Sequence, residues 1–411
     1  MKEQEKLKEY ARLVIEIGVN VQKGEPVLIN CPVEAVEFAR LLATYAYERG
    51  ASEVVMNWKD DPLTRLKYEH APLEIFETVP DWAFDRAKYY YEKGANLISV
   101  YSEDPELLQG IDMEKIATAS KANNTKMKPL DKYTMNDMVS WCVVSVPNAA
   151  WARKVFPGAR CDEEAVDLLW RQIFEVTRMY EKDPVAAWEA HLESLQDKAQ
   201  KLNAFHFKTL RYESDNGTDL TVDLPDKHIW LSATSTNDKG TVFLPNIPTE
   251  EVFTLPARDG VNGTLVSTKP LAYNGQLIEN FRLRFVDGQV VEFEAKRGGE
   301  ALKSLFEEDP NAQRLGEVAL VPYNSPISNA NRLFYNTLFD ENASCHFAFG
   351  ACYPTTLEGG AAMSVDELTA AGGNDSLLHE DFMVGTSDLS IIGIMKDGLE
   401  VPIFNHGNFA F

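Results

Sequence analysis

Near Asn203 the apolar residues of this sequence change their period, and the change calls for two differently built halves. Before it, helical and strand patterns alternate. Leu7, Tyr10, Ala11, Val14, Ile17 and Val21 recur at helical spacing, with Gly24 as a stop. Residues 26–30 then read as a short buried strand, and a second helical pattern carries Phe38, Leu41, Leu42 and Tyr45 on one side. Further strand patterns lie at 54–58, 97–101 and 139–146, each separated by helix-like sequence. Alternation of this kind predicts an α/β N-terminal domain with a parallel sheet, closed by charged helices at 163–182 and 184–201. After the change, hairpin signals dominate. Asp215-Asn216-Gly217, Asp287-Gly288 and Asp397-Gly398 each sit between two strand-like runs, and a helical pattern stands out only at 300–308. The expectation is an α+β C-terminal domain, with domains at 1–203 and 204–411.

A chain of 411 residues is long enough for two cores. Its formal net charge of −23 disfavours nucleic acid, because such a surface repels phosphate backbones. The same charge tolerates cationic ligands, including peptides with a free ammonium terminus. No run approaches the roughly 18 apolar residues of a membrane span, and the N-terminal stretch lacks a secretory apolar region. Five scattered cysteines read as thiols in a reducing compartment. The expected location is the cytoplasm, with no membrane partner.

Familiar catalytic signatures are missing. There is no His-Glu-x-x-His, no Gly-x-Ser-x-Gly and no Walker loop, and the turn Asn30-Cys31-Pro32-Val33-Glu34 lacks the glycines a dinucleotide needs. Among seven histidines, two have informative neighbours. His379 and Asp381 lie two apart, so an extended backbone turns both to one side. His346 follows Glu341 and precedes Tyr353, amid small residues that allow side chains to crowd around an ion. Acids at Glu250-Glu251 and at Glu317 adjoin strand-like sequence. Mixed imidazole and carboxylate donors suit zinc, cobalt or manganese. Spacing alone describes solvated acids and a polar loop equally well. Cys345 and Cys352 match no zinc-finger spacing and read as small buried thiols.

Four segments add a resemblance. They are residues 246–254 (Asn-Ile-Pro-Thr-Glu-Glu-Val-Phe-Thr), Gly316-Glu317, residues 340–350 (Asp-Glu-Asn-Ala-Ser-Cys-His-Phe-Ala-Phe-Gly) and residues 379–385 (His-Glu-Asp-Phe-Met-Val-Gly). Together with Trp151-Ala152 and Val155-Phe156-Pro157, they resemble the AmpS/PepS and aminopeptidase T family of bacterial metallo-aminopeptidases, in order along the chain. The resemblance implies a two-domain fold, a metal site of two divalent ions in the C-terminal domain, and a homodimer enclosing the active sites. It also implies metal ligands at Glu251, Glu317, Glu341, His346, His379 and Asp381, with Tyr353 at the metal edge. Glu251 is preferred to Glu250 because it precedes Val-Phe-Thr.

The expected activity is removal of N-terminal residues from short peptides by water activated between two cations. In that reading Glu317 bridges the pair and Tyr353 donates to the oxyanion or coordinates directly, while the base stays open among Glu341, Glu251 and the bridging hydroxide. Two other readings compete. One is a metal-dependent amidohydrolase acting on non-peptide amides; the other is a two-lobed binding protein with a structural metal.

Overall fold

Pro26–Pro32 is apolar nearly throughout, and a strand of that kind needs cover on both faces. It forms β1 of a parallel sheet, flanked by β2 (Glu53–Lys59) and β3 (Asn96–Tyr101), with β4 (Trp141–Ser145) beyond β3. In this computed structural model, which describes residues 3–411, the order is therefore β2-β1-β3-β4. Helices supply the crossovers: α2 (Val36–Glu48) follows β1, α3 (Asp61–His70) and α4 (Asp81–Glu92) follow β2, and α5 (Met113–Met135) follows β3.

The first helix is shorter than its periodicity predicts. α1 (Glu3–Leu13) passes into a wider turn at Val14–Gly18, closed by Val19 N–H to Val14 C=O at 2.9 Å. It ends well before Gly24. A Cβ on Gly18 would stand 3.0 Å from the Cys142 sulfur, so β4 is approached too closely for a longer side chain. Asn20 then adopts φ +49°, a left-handed conformation that stops the helix.

Two compact units account for the chain: Met1–Leu192 with Ala233–Thr249, and Glu193–Ser232 with Glu250–Phe411. The first carries the parallel sheet, α6 (Ala149–Val155) and α7 (Asp162–Val176). Segment Ala233–Thr249 returns to it as a short hairpin, β7 (Ser235–Thr236) with β8 (Val242–Phe243). Its tail then bonds along β4, with Val143 N–H to Pro245 C=O at 2.7 Å. The division at Leu192 falls inside α8 (Pro184–Phe205), as does the boundary expected at 203.

The second unit is built on two antiparallel sheets. The larger contains all three Asp/Asn-Gly hairpins: β5 (Thr209–Glu213) with β6 (Asp219–Asp223), β12 (Gln276–Val286) with β13 (Gln289–Arg297), and β17 (Ser390–Ile394) with β18 (Glu400–Asn405). It also takes in β10 (Val261–Val266), β11 (Leu271–Tyr273) and β19 (Asn408–Phe409). The helical pattern read at 300–308 is α9 (Gly299–Phe306). The smaller sheet runs in the order β16 (His379–Met383), β15 (His346–Gly350), β14 (Leu315–Leu320), β9 (Val252–Thr254). No helix among the described residues is long and apolar enough to cross a membrane.

Candidate metal centre

The smaller sheet sorts its residues by strand alternation. Phe347 and Phe349 of β15 and Phe382 of β16 turn one way, where Phe349 stacks on Phe382 with ring centroids 4.1 Å apart. Tyr212 and Phe281 of the larger sheet meet them at 5.2 and 5.5 Å, so this face is an aromatic core. The opposite face carries His346 and Ala348 of β15, with His379 and Asp381 of β16. Ala348 is directly across from both Glu317 and Asp381, and its methyl group leaves room for two carboxylates to lean together.

Glycine sets the approach of the strands. The β14–β15 register slips between Leu315 and Glu317, a bulge at Gly316 that re-aims Glu317. A Cβ on Gly316 would lie 2.2 Å from the Ala351 carbonyl oxygen, so no other residue permits this approach unchanged. Gly350, opposite His379, has φ +89° and is equally tight against the Leu378 carbonyl.

What gathers on this face is a set of carboxylates around two imidazoles. His346 Nε2 lies 3.0 Å from Glu251 Oε2, 3.9 Å from Glu317 Oε1 and 4.0 Å from Asp381 Oδ1. His379 Nε2 lies 3.3 Å from Glu317 Oε2 and 3.7 Å from Asp381 Oδ1. Two groups of three donors result, Glu251–Glu317–His346 and Glu317–His379–Asp381, and Glu317 belongs to both. Each histidine donates its Nδ1–H to a backbone carbonyl, Ser344 at 3.0 Å and Ala351 at 2.7 Å, which turns Nε2 towards the carboxylates. Glu341, buried at the end of α11 (Thr337–Glu341), is near enough to feel the charges of Asp381 and Glu251. The half-buried Tyr353 has its ring 4.7 Å from the His379 ring and 5.9 Å from Phe253.

Burial drives the protonation of the cluster. It pushes Glu317 up to about 7, a rise that the His379 hydrogen bond opposes and the Asp381 charge reinforces. Glu341 is raised well above the carboxylate range by burial and then by Asp381 and Glu251. Burial opposes charge on the histidines, yet Glu251, Asp381 and Glu317 together outweigh it for His346, which is raised well above the usual imidazole range. At His379, Asp381 and Glu317 outweigh burial likewise, and the result is about 9.

Every residue read from the sequence as a ligand therefore falls on or beside this one face. Glu250 joins neither group of three, and its backbone N–H donates to Asn342 Oδ1 at 2.8 Å; Glu341 also stands outside both groups. Cys345 and Cys352 are buried, the Cys345 thiol directed at the Val321 carbonyl. His191 is less peripheral than its charged helix suggests, since its Nε2 meets the Thr249 carbonyl at 2.8 Å. Sequence reasoning treated Asn342 and Ser344 only as small residues. Their tie to the site is a hydrogen-bonding role, visible once Glu250, Glu341 and His346 are brought together.

A donor set of this composition, sunk in the face of a sheet, is that of a metallohydrolase. The thermophilic metalloprotease (M29) family matches residues 3–409, and the chain belongs to that family. Aminopeptidase AmpS of Bacillus subtilis (strain 168) is 50% identical over 407 residues, covering 99% of each chain. Aminopeptidase 2 of Geobacillus stearothermophilus is 48% identical, covering 99% of this chain and 98% of its own. Among solved structures, wild-type AmpT from Thermus thermophilus is 39% identical and superposes with a TM-score of 0.90, covering 99% of this chain and 100% of its own. The chain is thus an enzyme of the metallopeptidase class, within the AmpS, PepS and aminopeptidase T family that its C-terminal segments resemble.

Proposed function

We propose that this enzyme removes residues one at a time from the free N-termini of short peptides. In this reading Glu251, Glu317, Glu341, His346, His379 and Asp381 hold two divalent cations, of zinc, cobalt or manganese. The observation that carries it is Glu317, whose two oxygens face different histidines, Oε1 towards His346 and Oε2 towards His379. One carboxylate thus serves both groups of three. The remaining donors fit a cation too. Asp381 Oδ1 is buried without a hydrogen-bond partner, a costly state that coordination would relieve. Both Nε2 atoms are turned inward by their Nδ1–H bonds, as a metal-binding histidine requires. Bound cations would supply Lewis acidity and lower the pKa of a water towards neutrality.

The chain's own residues then orient the reaction. The Tyr353 hydroxyl stays protonated across the neutral range, because burial and the charges of Glu317, Asp381, Glu341 and Glu251 all raise its pKa. It is our candidate to donate a hydrogen bond to the oxyanion of the tetrahedral intermediate. Carboxylate among Glu251, Glu317, Glu341 and Asp381 that the cations leave in surplus would hold the ammonium group of a substrate and so place the cut after its first residue. A homodimer in the cytoplasm, as the sequence resemblance and cysteine usage imply, completes the reading.

The test is a panel of peptides offered free and N-acetylated. Acetylation removes both the charge and the lone pair of the amine, so the free peptides should shorten stepwise while their acetylated forms survive. Discrimination against a ligand lacking a required polar group reaches about 10⁴-fold or more. Internal cleavage of an acetylated peptide by the pure enzyme would overturn the exopeptidase reading.

A further inference from the structure

Resting on the two-cation reading above, we propose that Asn342 is a positioning residue that holds Glu251, on the His346 side of the centre, in register with Glu341. Asn342 is fully buried just past the end of α11. A primary amide offers one acceptor oxygen and two N–H donors, and this one uses all three. Oδ1 accepts from the Glu250 backbone N–H at 2.8 Å. Nδ2 donates to the Leu338 carbonyl at 3.0 Å and to Glu341 Oε1 at 3.2 Å. The amide orientation follows from these partners, since turning it over would set a donor against the Glu250 N–H.

The place of these bonds is what matters. The ladder of β9 with β14 ends at the pair Val252–Leu320, so Glu250 and Glu251 lie past its last rung. Asn342 therefore fixes a backbone that the sheet no longer holds, one residue before the carboxylate that meets His346 at 3.0 Å. Its other arm fixes Glu341 on a helix of five residues. That helix is anchored in turn by Asp340, which accepts from Phe334 N–H at 3.0 Å and Asn336 N–H at 3.2 Å. Two segments far apart in sequence reach the cluster through one side chain. Glu250, whose N–H Asn342 holds, directly precedes Glu251, and Glu251 belongs to the Glu251–Glu317–His346 group and not to Glu317–His379–Asp381, so the backbone arm of Asn342 acts on the former.

This separation makes the inference testable on metal binding rather than turnover. Wild type, Asn342→Ala and Asn342→Leu are stripped of metal and titrated with cobalt by calorimetry, with circular dichroism to confirm folding. Leu fills the volume without either arm, so a cavity effect in the Ala variant is told apart. Loss of a residue supporting a metal ligand typically costs about 10–100-fold in affinity. The expected result is two cobalt equivalents in wild type and, in both variants, one of them weakened by about that factor while the other is unchanged. Two equivalents of wild-type affinity in a folded Leu variant would overturn the role of Asn342, and so would equal weakening of both. Fewer than two equivalents in wild type would remove the two-cation reading itself, a failure seen in the arm that carries no substitution.

Discussion

Tyr353 tests the chemistry at the scale of one atom. Replacement by Phe keeps the ring against His379 and Phe253 and removes only the hydroxyl. A donor to an oxyanion is typically worth about 10²–10³ in kcat, so Tyr353→Phe should lose that much turnover with its metal content intact. Near-normal kcat would reduce Tyr353 to packing. At this scale the sequence was legible where strand alternation alone decides the outcome. His379 and Asp381 are two apart on β16, and both turn to the site face. At Glu250-Glu251 spacing alone left the choice open, and the preference for Glu251 came from the resemblance. Adjacent acids are told apart only by where the backbone ends its ladder, which depends on β14 and Asn342, far along the chain.

Among the elements, β14 does the most to shape the site, and Gly316 is the reason. Gly316→Ala would force a methyl group into the Ala351 carbonyl, so β14 must shift away from the segment that also receives His379 Nδ1. Overpacking of this kind costs about 1–3 kcal/mol. Denaturant unfolding of the metal-free variant should show that loss, with a fall in activity beyond it because Glu317 is the next residue. A variant of unchanged stability would mean that the bulge is not a tight contact. Hairpins were the elements best read from sequence, because Asp-Gly and Asn-Gly turns encode their geometry locally. The end of the first helix was misplaced: the chain turns left-handed at Asn20, four residues before the Gly24 taken as the stop.

At the scale of the whole molecule, the cluster ties stability to pH. Without metal, the folded state keeps protons that the unfolded chain sheds: Glu317 titrates at about 7, Glu380 at about 8 and His379 at about 9. Burial is the largest cause of both glutamate shifts, whereas at His379 it is outweighed by Asp381 and Glu317. For the glutamates, stability falls as pH rises from the unfolded value of about 4.3 through the folded one. The His379 contribution is full below about 6.5 and is lost as pH rises through 9, which is the same sign. Cations take the place of those protons, so the melting temperature gained on adding cobalt should be larger at pH 8 than at pH 5.5. Equal gains in a thermal-shift assay would contradict this.

The parallel sheet of the N-terminal region was also legible at this scale, because periodicity is averaged over many residues. The return of Ala233–Thr249 to the first unit was not. It rests on backbone bonds along β4, such as that of Val143 to Pro245, and these leave no pattern in the sequence. In the proposed mechanism one buried carboxylate, Glu317, organises two cations for peptide hydrolysis. The most direct test of that mechanism is to titrate metal-free enzyme with cobalt while following release of p-nitroaniline from an aminoacyl p-nitroanilide. No turnover should be seen at the start, with activity rising and then levelling at two equivalents. Full turnover by the metal-free protein would contradict the account.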